Sequence, residues 1–64
     1  MNIKVGEYYK LYYKKHNLNN MKFQIRAIVD TEIVVILTKK GRYILLDRIW
    51  FDMNKDILTM EGKF

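Results

Sequence analysis

The 64-residue sequence predicts an all-β fold, five short antiparallel strands forming one small, partly open barrel, and three observations point to it. Phe23, Ile25, Ala27 and Val29 alternate with Lys22, Gln24 and Arg26, the period of two expected of a strand with one buried face. Glu32-Ile33-Val34-Val35-Ile36-Leu37-Thr38 is almost wholly apolar and β-branched, and Tyr43-Ile44-Leu45-Leu46 resumes that character after Lys39-Lys40-Gly41-Arg42 breaks it. The breaks themselves are short clusters of Asn, Asp, Gly and charge, which is turn chemistry.

The first strand is expected over Ile3 to Lys14. Val5, Tyr9, Leu11 and Tyr13 are the expected core face, because Lys4, Lys10 and Lys14 fall on the other one. Gly6 marks a bend or bulge that lets the strand curl. Lys15 to Asn20 is a loop, since its three Asn residues tolerate left-handed backbone and bond back to their own chain. The second strand runs from Met21 to Asp30 and the third from Glu32 to Thr38, with Asp30-Thr31 as the tight turn between them. Periodicity leaves the core face of the third strand open between Ile33, Val35, Leu37 and Val34, Ile36. Lys40-Gly41 is expected as a two-residue hairpin loop, which sets Lys39 against Arg42, Leu37 against Ile44 and Val35 against Leu46.

The end of the chain supports two readings. In one, the strand continues to Met53, turns at Asn54-Lys55 and returns as a last strand from Ile57 to Met60, as the aromatic and β-branched content favours. In the other, a β-meander ends in a helix over 48–60: Ile49, Met53 and Ile57 share one helical face, and Asp47 is placed to cap its start.

The opening Val5-Gly6-Glu7-Tyr8-Tyr9, the polar loop after it, the meander from Phe23 to Leu46 and the returning segment at Ile57 together resemble an SH3-like barrel, the fold of KOW, Tudor and SH3 domains. The resemblance covers most of the chain and rests on strand pattern alone. It implies an architecture and transfers no function.

Residues 1–64 form one domain. A chain of this size buries only about 60% of the surface its unfolded form exposes, so the core must be efficient. With no cysteine, stability comes from packing, and neither a disulfide nor a thiolate metal site is available. No leader or membrane-spanning stretch is visible, and a cytoplasmic location is expected. Abundant Lys, Asn, Ile and Tyr with no Pro is the composition expected of an AT-rich genome, such as that of a Gram-positive bacterium or its phage.

Catalytic parts are missing. His16 is the only histidine and sits in the Asn-rich loop without partner ligands at metal-site spacing. Asp52, Asn54 and Asp56 have the spacing of a calcium loop's first half, but Ile57 and Lys63 stand where that loop needs Gly and Glu. No Ser is present, no histidine lies near a Thr to activate it, and no Gly-rich phosphate loop occurs. A non-enzymatic binding module with no cofactor and no metal is therefore expected.

The charge distribution suggests what it binds. Lys4, Lys10, Lys14, Lys15, Lys22 and Arg26 face Glu7 alone in residues 1–26, whereas acids and bases balance in the rest, so the whole excess of +5 lies in the first two strands and their loop. Such asymmetry attracts nucleic acid or an acidic protein surface. The expected site is Tyr8, Lys10, Tyr12, Lys14, Lys15, Lys22 and Arg26, where bases stack on the tyrosines and the cations neutralise phosphates of RNA or single-stranded DNA. The alternative is a protein–protein interaction module, such as a phage-encoded protein that modulates a host factor. It would be anchored by Arg48, Trp50 and Phe51, of which a strand would leave one aromatic exposed. A monomer or weak homodimer is expected.

Overall fold

Three β-bulges and one mirror-image turn, each traceable to particular residues, set the curvature and register of a single antiparallel sheet. The computed structural model describes residues 1–12 and 21–63. Its elements are β1 (Tyr8–Leu11), β2 (Met21–Val29), β3 (Ile33–Thr38), β4 (Tyr43–Asp47), α1 (Arg48–Met53), a 3-10 turn (Lys55–Ile57) and β5 (Leu58–Glu61). The strands lie in the order β4-β3-β2-β1-β5. All-β is therefore the fold class. The sheet is open, with β4 and β5 as its two edges, rather than a closed barrel.

β1 begins at Tyr8, not at Ile3, because the chain turns first. The Glu7 N–H donates to the Lys4 carbonyl at 3.2 Å, and Gly6, third residue of that turn, takes φ +96°, a value that L side chains resist. The Gly6 N–H then donates to the Ile25 carbonyl at 2.7 Å while the Ile25 N–H donates to the Glu7 carbonyl at 2.9 Å. Two residues thus oppose one, a bulge with glycine at its first position. The turn swings Val5 out to 59% exposure, against its expected core place, and Ile3 is buried instead. Tyr9 and Leu11 are buried as expected, and Tyr13 lies outside the described residues.

In β2, Phe23 and Ile25 are fully buried. Ile25 faces Ile36 and Ala27 faces Val35, so Arg26 is an extra residue bulged out of the ladder. The slip reverses the alternation beyond it: Ile28, opposite buried Val34, packs on the core, while Ala27 and Val29 move to the outer face. Asp30 and Thr31 have φ of 50° and 61°, and the Glu32 N–H closes the hairpin on the Val29 carbonyl at 3.1 Å. Both positive φ values are those of a type I′ turn, and three residues, Asp30, Thr31 and Glu32, separate the paired Val29 and Ile33.

The β3–β4 hairpin differs from the expected one by one residue. Gly41 donates its N–H to the Thr38 carbonyl, and the Thr38 N–H donates to the Arg42 carbonyl, both at 2.8 Å. With Gly41 at φ +91°, this is a three-residue loop closed by a glycine bulge. The Thr38 hydroxyl accepts from the Arg42 N–H at 3.0 Å, which satisfies a buried side chain at the turn. The pairs are consequently Leu37 with Tyr43, Val35 with Leu45 and Val34 with Leu46. Val34 and Ile36 form the core face of β3.

The C-terminal segment combines parts of both readings. No strand continues to Met53. The Asp47 side chain accepts from the Ile49 N–H at 3.1 Å and caps a helix, but that helix ends at Met53, and β5 follows as the returning strand. Asn54 stops it by donating from both its backbone N–H and its side-chain amide to the Trp50 carbonyl. The helix lays Phe51 on the inner face of the sheet, where Phe23 is the hub. The Tyr9 ring stacks on Phe23 at 6.0 Å, and Phe51 and Trp50 meet it edge-on at 6.1 and 6.3 Å. The Met1 amino group pairs with the Asp52 carboxylate, and that hydrogen bond holds Asp52 below its ordinary pKa.

Candidate nucleic-acid interface

Alternation places the functional candidates once the core is fixed. Tyr9 and Leu11 point inward, so Tyr8 and Lys10 stand on the outer face of β1, and Tyr12 follows at its end, exposed. Phe23 and Ile25 point inward, so Lys22 and Gln24 stand outward beside them. The ladder sets Tyr8 against Gln24 and Lys10 directly against Lys22.

The sheet adds a cation that alternation along one strand does not reveal. Phe23 pairs with Thr38, and the Lys39 N–H donates to the Lys22 carbonyl at 2.9 Å. Lys39 therefore follows Lys22 across the sheet, and Lys10 of β1, Lys22 of β2 and Lys39 of the β3–β4 turn form one row. Like charges directly opposite one another destabilise a sheet. Among the described residues the one ion pair is that of Met1 with Asp52, so no acid neutralises this row.

The surroundings of the row are polar and partly ordered. The Gln24 amide donates to the Gly6 carbonyl at 3.2 Å and its oxygen accepts from the Arg26 guanidinium at 3.3 Å, which holds Arg26 on the same face as Lys22. Arg26 follows Lys22 and Gln24 on that face by alternation, and the bulge there changes the faces only of the residues beyond it. On the other side Thr59 of β5 faces Lys10 and Glu61 faces Tyr8, so one carboxylate borders the row. Beyond Thr59, Tyr12, Asp56 and Ile57 complete a shallow open hollow. Glu7 does not oppose the cations: its carboxylate accepts from the Lys4 N–H at 2.6 Å and from the Tyr9 hydroxyl at 3.1 Å. Burial, together with that bond and the carboxylate's charge, pushes the Tyr9 pKa up to about 12.

The structure thus brings together Tyr8, Lys10, Lys22 and Arg26, with Tyr12 at the margin. Lys14 and Lys15 lie outside the described residues. Of the second set, Phe51 is buried, while Trp50 and Arg48 are half-buried; the helix, not a strand, decides which aromatic is hidden. Sequence reasoning missed Lys39 in the row. It also missed an apolar outer surface over β3 and β4, where Ile33, Tyr43 and Leu45 are exposed. Counting back from a two-residue Asp30-Thr31 turn pairs Lys39 with Lys22, because the extra turn residue Glu32 and the bulge at Arg26 offset one another.

No group of three or more metal-ligating side chains occurs among the described residues, and no helix there is long and apolar enough to cross a membrane. No protein-family model, curated protein or solved structure matches the chain.

Proposed function

We propose that this protein is a non-enzymatic module that binds RNA or single-stranded DNA on the outer face of β1 and β2. The observation that carries the reading is the row Lys10, Lys22 and Lys39, set side by side over β1, β2 and the β3–β4 turn with no acid paired to it among the described residues. A phosphate backbone laid across the row removes the repulsion between the lysines and releases its own counterions. Tyr8 and Tyr12 supply ring faces beside the charges, and a stacked base contributes roughly 1–3 kcal/mol in such sites. A row of point charges reads the backbone and not the base edges, so the expected binding is weakly sequence-dependent.

We also propose an SH3-like architecture for the open sheet. The pairing of the first strand with the last, and the bulges that bend β1 and β2, support it.

The test is fluorescence anisotropy with labelled single-stranded DNA, single-stranded RNA and duplex, at low and moderate salt, on wild type and a Lys10→Glu/Lys22→Glu variant. Micromolar affinity that falls with salt and is lost in the variant is the expected result. Absence of binding at low salt, or full retention in a folded variant, overturns the proposal.

A further inference from the structure

The face of the sheet that carries the lysine row continues, over β2, β3 and β4, into an apolar surface. Leu37 lies between Gln24 and Tyr43, Val35 between Ala27 and Leu45, and Ile33 between Val29 and Asp47. All are outward, because Val34, Ile36 and Thr38 are buried. Tyr43 and Leu45 are 65% and 69% exposed, and Val29 and Ile33 are exposed beside them. The inner face is covered by α1 and Ile3, yet no described element covers this one. A contiguous exposed apolar patch of this kind marks an interaction surface.

Its two ends carry opposite charge. At the β3–β4 turn stand Lys39, Lys40 and Arg42, all exposed, with Lys39 at the corner shared with the lysine row. At the other end stand Asp30 and Glu32 of the β2–β3 turn and Asp47 of β4, also exposed. Arg48 at that end is half-buried and acts on Asp52 of α1. Positive end, apolar middle and negative end lie in line along β3. That pattern is its own complement when turned by half a revolution. A nucleic acid is repelled by the acidic end and gains nothing from Leu45.

We infer that this face binds a second copy of the chain, packed sheet to sheet about a twofold axis near Val35, with the basic end of each copy over the acidic end of the other. A twofold contact of this type uses one patch twice, as the charge pattern requires. Two sheets packed this way lie about 10 Å apart with interdigitated side chains. The dimer shares Lys39 with the lysine row and leaves the β1 flank outside the contact, so loss of the dimer and loss of nucleic-acid binding by the Lys10→Glu/Lys22→Glu variant are separate outcomes.

Sedimentation velocity on the full chain, at concentrations up to about 1 mM to reach weak dimers, tests the inference beside three variants. Leu45→Lys places a charge at the apolar middle without touching the core, and raises the dimer dissociation constant by about tenfold or more. Glu32→Lys and Lys40→Glu each weaken the dimer, and the double variant restores it. Within one copy those residues lie in the turns at opposite ends of the six-residue β3, about 20 Å apart at ~3.3 Å per residue, so rescue requires contact between copies. Circular dichroism establishes that each variant is folded. A monomer at every concentration overturns the inference and leaves the face to a different partner. A dimer indifferent to Leu45→Lys, or a double variant no tighter than the singles, overturns it as well.

Discussion

Replacing Thr31 by glycine should make the protein more stable, although it deletes a side chain and a hydrogen bond. Thr31 is β-branched and sits at φ 61° in the β2–β3 turn. A side chain in left-handed backbone costs roughly 1–2 kcal/mol, and glycine avoids that cost. Against this, glycine gives the unfolded chain more freedom, an opposing effect of roughly 0.4–1 kcal/mol. The Thr31 hydroxyl donates to the Asp30 carbonyl at 2.5 Å, but the site is exposed and water replaces the bond. The net gain is about 0.5–1 kcal/mol, which for a domain of this size raises the melting temperature by about 3–6 °C. Gly41→Ala is the mirror experiment. An added Cβ there meets nothing within 4 Å, so the loss comes from the φ of +91° alone and is again about 1–2 kcal/mol. Thermal and urea denaturation followed by circular dichroism measure both. An unchanged or lower midpoint for a folded Thr31→Gly variant would refute the assignment of a strained type I′ turn.

Other consequences can be checked with the same denaturation assays. Lys22→Gln removes the middle charge of the row, so it should stabilise the protein by a few tenths of a kcal/mol at low ionic strength, a gain that vanishes in high salt; equal effects at both salts would contradict the row. Asp47→Ala deletes the cap of α1 and should cost about 1 kcal/mol, read in urea through the fluorescence of Trp50. Tyr9 keeps its proton to about 12 in the folded state against an ordinary value of 10.0. Its contribution is therefore complete below pH 10 and is lost as pH rises from there through the folded pKa. Tyr9→Phe should flatten that alkaline decline, and an identical pH profile in the variant would show that the shift contributes nothing.

Strand number, approximate strand positions and the Asp30-Thr31 turn are legible in the sequence because they follow from local alternation and turn chemistry. What alternation cannot reveal is a slip. The bulge at Arg26 exchanges the faces of Ala27, Ile28 and Val29, and nothing in the identities of those residues announces it, since all three are apolar. The extra loop residue at Gly41 likewise moves Leu37 from Ile44 to Tyr43. In β3 both faces are apolar because one packs on the core and the other is bare, so composition alone leaves the two indistinguishable. The cap at Asp47 was readable, but the early stop of α1 depends on Asn54 folding back on Trp50, a contact set by the tertiary position of the helix. The lysine row was half visible: Lys10 and Lys22 follow from the strand pattern, whereas Lys39 joins them through register.

The pairing of β1 with β5 also fixes the order in which a growing chain can be completed. Residues 21–47 form a meander of adjacent strands joined by two short loops, and that part can assemble while synthesis continues. The Tyr8–Leu11 strand gains its second neighbour only when Leu58–Glu61, which follows α1 in the chain, has been synthesised. Until then one edge of β1 carries unsatisfied backbone groups, and Leu11 lacks Leu58 opposite it. Loss of Leu58–Glu61 alone thus leaves an otherwise finished sheet with an open, sticky margin along β1.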